Sequence, residues 1–293
     1  MRDRATAGSR TARPRAGATA RSGVLQDDTP TAANEIDALT GDPNFMTSLA
    51  RGLAVIQGFT KQRRSLTIAQ LSHRTGIPRA AVRRCLYTLS RLGLAGSEDG
   101  KTYSLRPKIL SLGHAYLSST TLAAAAQPLL DRVSAALDES SSIALLDGDE
   151  ILYVARSSIT RRIMSVDLSI GTRLPAYCTS MGRVMLAHLS PAEIDGYFRR
   201  VKLVAHTPRT MISTERLRKA LASVVAQDYA IVDQELELGL RSIAVPVRDL
   251  SGKVVAAMNI STQAPRVPVA ELERRFLPEL QAAARELGVM LLA

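Results

Sequence analysis

Three side chains with nucleophilic potential stand next to one another at Cys178, Thr179 and Ser180, just before Gly182 and an apolar run. Covalent catalysis by any of them would need a neighbouring base to take up its proton. No G-x-S-x-G elbow surrounds Ser180, no histidine is local to Cys178, and no Gly-rich phosphate loop occurs. Because a base could come from distant sequence, a thiol enzyme with Cys178 as its nucleophile stays open as one alternative.

The same residues also suit a site that binds a ligand without reacting. Thr179, Ser180 and Met181 precede Val184 and an apolar run at helical spacing, which predicts a helix N-terminus here. The first N–H groups of a helix lack intrahelical partners and carry about half a positive charge, so they can hold a carboxylate. Gly182 would allow close backbone approach. Simple capping by Thr179 or Ser180 is compatible with ligand binding.

Composition limits the class of protein. The 293 residues, 46% hydrophobic and 22% charged, suffice for two modest domains and a tail. The sequence lacks both an apolar run of about 18 residues and a signal core, so no membrane partner is expected. Cys85 and Cys178 are isolated, which favours free thiols in a reducing cytoplasm. The four histidines share no metal-ligand spacing, so neither a metal nor a cofactor is predicted.

The net charge of +11 is concentrated in one stretch. Residues 45–108 contain twelve Lys or Arg and two acidic residues, Glu98 and Asp99, which gives +10. The residues before this stretch are neutral and those after it carry +1. A surplus confined to one small module is typical of a nucleic-acid-binding face, with a solvated basic surface as the plain alternative.

The basic module has the pattern of a helix-turn-helix. Thr67 followed by Gln70 predicts a capping box, and Gly76 can end that helix in the left-handed conformation. Pro78 can open the next helix, which is strongly basic and is expected to enter the major groove of double-stranded DNA. Another helix is predicted at residues 47–59, before these two. Its apolar face is predicted to consist of Leu49, Leu53, Ile56 and Phe59. The buried stripe of the basic helix is predicted to be Val82, Leu86 and Leu89.

Residues 92–107 predict a β-hairpin wing that turns at Asp99-Gly100. The module at residues 45–106 is therefore interpreted as a winged helix-turn-helix. Its predicted DNA contacts are Arg79, Arg83, Arg84, Tyr87, Arg91 and Lys101. We assign Arg79 and Arg83 to base edges, and Arg84, Arg91 and Lys101 to phosphates, which fix register without reading sequence.

The basic module is flanked by a tail and a connector. Residues 1–44 are predicted to be a disordered tail, because their apolar content is too low to offset the entropy of ordering. Residues 107–138 predict a linker helix near 107–117 and a second helix near 121–138, with Pro128 beginning or kinking a segment. A dimer contact, or packing onto the second domain, would cover Leu110, Leu112, Tyr116 and Leu117.

Residues 139–293 predict an α+β domain. Strands alternate with turns at Asp147-Gly148 and Ser251-Gly252, and helices are expected at 191–198 and 214–227. A last helix at 271–291 carries an apolar face that is predicted to consist of Leu272, Phe276, Leu280, Ala283, Leu287 and Met290. An antiparallel sheet covered by helices can hold a small pocket between the two layers.

Several stretches together resemble one family. "GTRLPAYCTSMGRVMLA" and "DQELELGLRSIAVPV" look like the two effector-domain signatures of the IclR family of bacterial transcriptional regulators. "DPNFMTSLARGLAVIQGF", "IPRAAVRRCLYTL" and "SLGHAYLSST" look like its subgroup that regulates the protocatechuate and β-ketoadipate branch of aromatic catabolism. The resemblance runs from about residue 41 to the end and implies a winged helix-turn-helix, a linker helix and a GAF-like effector domain at residues 139–293.

The resemblance also implies a site and a function. The effector pocket would involve Thr179, Ser180, Met181, Asp233, Glu235, Leu240, Ser242, Asn259 and Ser261. The effector would be a small carboxylate, with β-ketoadipate first and protocatechuate or 4-hydroxybenzoate as alternatives. The chain would act as a homodimer or homotetramer and, as an activator, would engage RNA polymerase, with the linker helix transmitting the signal. A constitutive DNA-binding protein whose second domain only oligomerises is a further alternative.

Two acidic residues would repel an anionic ligand if their side chains faced it. Asp233 and Glu235 are two residues apart, so a continuous strand would place both on the same face. Either that face looks away from the ligand, with Arg241 as an ion-pair partner, or the two acids accept hydrogen bonds from ligand hydroxyls.

Overall fold

The computed structural model describes residues 31–60, 62–113, 121–157 and 168–291. The chain divides into two compact units, residues 1–109 and 110–293. Each unit is described separately below. Within the described residues, no helix has both the length and the apolar character needed to span a bilayer.

The first unit is built on four helices. Thr67 caps α3 through the predicted reciprocal pair with Gln70, and Gly76 ends it at φ +74°. Pro78 then serves as the N-cap of α4, the basic helix. The buried stripe of α4 is Val82, Leu86 and Leu89, as the spacing predicts. The helices are α1 (Ala32–Ala38), α2 (Thr47–Gln57), α3 (Ile68–Thr75) and α4 (Arg79–Arg91).

The wing has three strands rather than the two of the predicted hairpin. β2 (Ala95–Gly96) and β3 (Thr102–Leu105) form the expected hairpin, and β1 (Ser65–Thr67) adds to the other edge of β3 in the order β1-β3-β2. Leu66, which pairs with Tyr103, is buried. Three residues are too few for an alternating pattern to reveal β1 in the sequence, and only the cross-strand partner defines it.

The prediction of disorder through residue 44 is wrong for α1. This helix buries Ile36 in the core of the first unit. The side chain of Thr31 also lies close to the Gly76 turn. One buried isoleucine in a polar segment is a weak signal, because its contacts come from residues far along the chain. Residues 1–30 lie outside the described residues.

The predicted apolar face of α2 is wrong for Leu49 and Leu53, whereas Ile56 and Phe59 pack against the core of the first unit as expected. Leu49 and Leu53 are 57% and 47% exposed, whereas Ala54 and Val55 are buried. The reason is close packing of α2 against α3: a Cβ at the buried Gly58 would lie 2.8 Å from Leu71 Cδ2. Small residues therefore mark the core face of this helix, and the larger leucines point away from it.

The second unit is centred on a six-stranded antiparallel sheet in the order β6-β5-β4-β9-β8-β7. The hairpin between the first two strands turns at Asp147-Gly148, as predicted, with Gly148 at φ +64°. A bulge between Ile143 and Ala144 shifts the register of this hairpin. The strands are β4 (Ser140–Asp147), β5 (Glu150–Ser157), β6 (Arg173–Pro175), β7 (Ala230–Asp233), β8 (Leu240–Arg248) and β9 (Val254–Gln263).

Helices cover both faces of this sheet, and each face has its own apolar core. On one face lie α6 (Ser180–Ala187), α7 (Pro191–Arg200) and α8 (Thr214–Gln227). On the other face lie α5 (Thr121–Leu137) and α9 (Leu277–Met290). The short helix Val269–Glu271 and the π-helical turn Leu272–Phe276 precede α9. The predicted apolar face of this last segment is buried except at Met290, which is 43% exposed.

The connector is only partly described. α5 runs without a break through Pro128 and buries Leu129, Leu130 and Val133 against the sheet and α9. Pro128 therefore lies inside the predicted helix near 121–138 and does not begin a segment, and this helix belongs to the second unit. Residues Pro107–Ile109 form a 3-10 turn, and Leu110 and Leu112 are exposed. The remaining linker positions, 114–120, lie outside the described residues.

Candidate ligand site and DNA-binding surface

A small enclosed cavity lies between the sheet and the N-terminus of α6. Its volume of about 20 Å³ is room for about one water molecule, so any larger occupant must displace the surrounding side chains. Seven of the nine predicted effector residues belong to its wall, and Asp233 and Glu235 do not. The seven are Thr179, Ser180, Met181, Leu240, Ser242, Asn259 and Ser261. The remaining lining residues are Tyr153, Leu168, Leu174, Cys178, Val232 and Leu236.

The N-terminus of α6 presents unpaired polar groups to this cavity. Thr179 is the N-cap, and its Oγ1 accepts from the N–H of Gly182 at 3.2 Å. Among the described residues, nothing accepts a hydrogen bond from the amides of Ser180 and Met181. The Ser180 hydroxyl is buried and also has no partner there. Capping by Thr179 therefore leaves two amides at this helix end without an acceptor among the described residues.

The floor of the cavity carries a second unpaired polar group. Asn259, on β9, donates from Nδ2 to Ser261 Oγ at 3.1 Å, but its Oδ1 has no partner among the described residues. The Asn259 side chain is 3% exposed. An unpaired buried amide oxygen costs free energy of about 1–3 kcal/mol unless a ligand or water supplies a donor. The cavity thus offers hydrogen-bonding groups at two separate points.

The two acidic residues are held in ion pairs away from the cavity. Asp233 Oδ1 accepts from Arg241 Nε at 2.7 Å, and this bond lowers the pKa of Asp233. Glu235 Oε2 lies 2.7 Å from Nη2 of Arg183, and both side chains are buried. Gln234, at φ +62°, ends the strand between them, so the predicted common strand face does not exist. The pairing with Arg241 is as expected, whereas Arg183 was not anticipated.

Cys178 has the environment of a packing residue. Its thiol is fully buried, and burial raises its pKa to about 12, with the Glu235 carboxylate as a second cause. Its Sγ donates to the Pro175 carbonyl at 3.8 Å. Of the nearby histidines in the described chain, His206 contacts Tyr177 and His188 contacts Val184. A thiol that stays protonated is a poor nucleophile.

Gly182 lies against the backbone of Ala176. A Cβ at this position would lie 2.1 Å from the Ala176 carbonyl oxygen. The close backbone approach that the sequence indicates is therefore made by the turn that leads into α6. Gly182 fixes the direction in which the helix N-terminus points.

Sequence reasoning missed several apolar wall residues and Tyr153. Tyr153 and Leu174 lie on β5 and β6, next to each other in the sheet, and Leu236 follows Glu235. Alternation along β5 predicts which face Tyr153 occupies only if the bulge between Ile143 and Ala144 is known. The alternating pattern of β5 therefore identifies Tyr153 as a wall residue only after a shift of one residue at the bulge.

The predicted DNA contacts are all exposed. Arg79, Arg83, Arg84, Tyr87 and Arg91 of α4 are all exposed, and the Tyr87 ring is 66% exposed. Lys101 is exposed at the wing, beside the Asp99-Gly100 turn. Asp99 Oδ1 accepts from the N–H groups of Lys101 and Thr102, which lowers the pKa of this carboxyl and holds the turn. A basic helix and a wing are thus available to a duplex.

A winged helix-turn-helix together with a sheet domain whose mainly apolar cavity contains a few polar groups defines a DNA-binding regulator with an effector-binding domain. The IclR helix-turn-helix domain matches residues 48–99, and the bacterial transcriptional regulator IclR C-terminal domain matches residues 114–289. The chain belongs to the IclR family of bacterial transcriptional regulators and, within it, to the Pca regulator type.

Relatives of known sequence or structure agree with this assignment. The chain is 61% identical over 255 residues to the Pca regulon regulatory protein of Pseudomonas putida, with 87% of each chain covered. A crystal structure from Rhodococcus sp. RHA1, described as a transcriptional regulator, has 43% identity and a TM-score of 0.75, covering 85% of this chain and 99% of that one. A double mutant of the PobR inducer-binding domain from Acinetobacter, in complex with 3-hydroxybenzoic acid, has 33% identity and a TM-score of 0.54, covering 57% and 97%.

Proposed function

We propose that this protein is a ligand-responsive activator of aromatic-compound catabolism, which senses β-ketoadipate or a related small carboxylate. The ligand binds in the cavity at the N-terminus of α6, and the winged helix-turn-helix binds double-stranded operator DNA. A ligand changes operator binding only if its affinity differs between two states of the protein. The similarity to a Pca regulon regulatory protein supports the choice of pathway.

The observation that carries the ligand site is the pair of buried, unpaired polar atoms in one cavity. Ser180 Oγ and Asn259 Oδ1 belong to the few buried side-chain atoms without a partner in the described chain. Both residues line the cavity, next to the unpaired amides of Ser180 and Met181. A carboxylate at the helix end satisfies the amides and the hydroxyl.

A hydroxybenzoate or protocatechuate is the second candidate for the effector. The PobR domain that was crystallised with 3-hydroxybenzoic acid is 33% identical to this chain. Asn259 Oδ1 is an acceptor, and a phenolic hydroxyl is a suitable donor for it. In this alternative the carboxylate occupies the same helix end and the hydroxyl reaches the floor.

The remaining partners follow from the way in which helix-turn-helix proteins bind DNA. Paired half-sites require two recognition helices, so we propose a homodimer or homotetramer. An activator would also contact RNA polymerase, and the protein would work in the cytoplasm. The cavity binds without catalysis in this proposal, because burial keeps the thiol of Cys178 in its wall protonated.

The test is a thermal-shift screen of the full chain with β-ketoadipate, protocatechuate and 4-hydroxybenzoate, followed by operator affinity. Ser180→Ala should lower the affinity for the effective ligand about tenfold. It should leave the ligand-free melting temperature unchanged or higher, because the hydroxyl has no protein partner. Ser223→Ala on α8, which is exposed, is the matched control and should change neither quantity. A screen in which no carboxylate shifts the melting temperature would refute the proposal.

A further inference from the structure

Arg156 is a half-buried arginine on the cavity side of the sheet. In the register of the strands, Arg156 on β5 is opposite Ser142 on β4, which in turn is opposite Asn259 on β9. Ser142 and Ala144 are two residues apart on β4, and Ala144 belongs to the core that packs under α6. The three residues therefore form a polar row on the face that carries the cavity.

The side chain of Arg156 extends along this row. Its Nη1 donates to Ser142 Oγ at 3.0 Å, so the guanidinium lies over the neighbouring strand, toward Asn259. Tyr153, which lines the cavity, is close enough for the positive charge of Arg156 to lower its pKa against the larger effect of burial. Arg156 thus adjoins the cavity through both Tyr153 and the Ser142–Asn259 pair.

This guanidinium has no compensating charge within the described chain. None of the ion pairs among the described residues includes Arg156, whereas Arg173 on the adjacent strand has two acidic partners, Asp147 and Glu150. Burial lowers the pKa of Arg156, although an arginine remains charged in proteins. A partly desolvated charge without a partner is unfavourable until an anion meets it.

We propose that Arg156 is a specificity-determining residue of the effector site and binds a second acidic group of the ligand. One carboxylate occupies the N-terminus of α6, and the other meets Arg156 beside Ser142 and Asn259. This inference rests on the proposed function, because it assumes that the cavity holds the effector. It favours β-ketoadipate over a ligand with one carboxylate, since a hydroxybenzoate has nothing anionic to place at Arg156.

The experiment compares ligands that differ by one carboxylate in the full-length protein. β-Ketoadipate has two carboxylates, and 4-oxopentanoate is the same keto chain without one of them. Arg156→Gln should lower the affinity for β-ketoadipate about 10- to 100-fold and leave the affinity for 4-oxopentanoate unchanged. Arg156→Lys keeps the charge but loses the bidentate geometry, so its loss should be smaller. Arg173→Gln, outside the cavity, is the matched control and should affect neither ligand.

The outcomes separate this inference from the proposed function. If the unaltered protein binds β-ketoadipate and Arg156→Gln does not weaken it, or weakens both ligands equally, the role of Arg156 is refuted while the effector site stands. If the protein binds 4-hydroxybenzoate but not β-ketoadipate, the proposal that Arg156 binds a second carboxylate of the ligand is refuted, and the effector site still stands. If no carboxylate binds, the proposed function and this inference both fail. Arg156→Lys keeps the comparison valid should Arg156→Gln prove unfolded.

Discussion

Arg183 and Glu235 form a buried ion pair that joins two distant parts of the second unit. Nη2 of Arg183, on α6, lies 2.7 Å from Oε2 of Glu235, and the same oxygen accepts from the Met211 N–H at 2.9 Å. Arg183 Nε also donates to the Tyr177 carbonyl. The pair therefore fixes the start of α6 and the segment that leads to Leu236, which are two walls of the cavity.

Removing one member of this pair should be costly. Glu235→Gln leaves the Arg183 charge buried without compensation, and we expect a loss of about 3–5 kcal/mol in the free energy of unfolding. Urea denaturation, followed at the unfolding transition of the second unit, measures this loss of free energy. Glu215→Gln breaks an exposed pair with Lys219 on α8 and serves as the control, with an expected change below about 1 kcal/mol. Equal effects of the two changes would contradict the structural role of Glu235.

The thiol of Cys178 should be unreactive across the neutral range. Burial raises its pKa to about 12, so the thiolate fraction is small at every pH below that value and rises only as pH approaches it. We expect iodoacetamide to alkylate the half-buried Cys85 faster than Cys178 in the folded protein at pH 8, as measured by mass spectrometry. Cys178→Ser should keep ligand binding. Rapid alkylation of Cys178 would revive the thiol-enzyme alternative.

The turn before α6 should not tolerate a methyl group. Gly182→Ala places a Cβ 2.1 Å from the Ala176 carbonyl oxygen, so the helix N-terminus must shift. We expect a loss of about 1–3 kcal/mol of stability together with weaker effector binding. Gly196→Ala on α7 is the matched control, because its nearest contact is an arginine side chain at 3.5 Å. If Gly182→Ala is as mild as Gly196→Ala, the packing argument for this glycine is wrong.

The basic surface should divide into residues that read bases and residues that hold phosphates. Arg83→Ala should weaken specific binding by about 1–3 kcal/mol and relax one base position. Arg84→Ala should weaken binding on all sequences and reduce the slope of log affinity against log salt by about 1. Fluorescence anisotropy with operator and unrelated duplexes measures both. Arg199→Ala, an exposed arginine of α7, should change neither. Uniform weakening by Arg83→Ala would make Arg83 a phosphate contact.

Local features of the first unit could be predicted from the sequence because local chemistry produces them. The capping box at Thr67 and Gln70, the left-handed Gly76 and the buried stripe of α4 depend on residues a few positions apart. The same holds for the turn at Asp147-Gly148 and for Thr179 as the N-cap of α6. Spacing and residue type suffice for these features, since the interacting groups are neighbours in the chain.

Features that depend on distant partners could not be obtained in this way. The third strand of the wing exists because Leu66 meets Tyr103, and Leu49 and Leu53 are exposed because small residues of α2 pack against α3. Hydrophobic periodicity shows that a helix has an apolar face but not which neighbour approaches it most closely. Packing distance decides that question.

For the ligand site, the sequence determined the residue types and the tertiary structure decided their roles. The cluster at residues 178–182 was recognisable as a pattern, whereas the polar positions of β8 and β9 were implied by the family resemblance. Only in the folded chain does Asp233 pair with Arg241 and Glu235 with Arg183. The fold also leaves the Ser180 hydroxyl and the Asn259 Oδ1 atom without partners among the described residues. The physical reason is that charge pairing and burial depend on three-dimensional distance. Residues 52 positions apart along the chain, such as Arg183 and Glu235, meet only when the domain has folded.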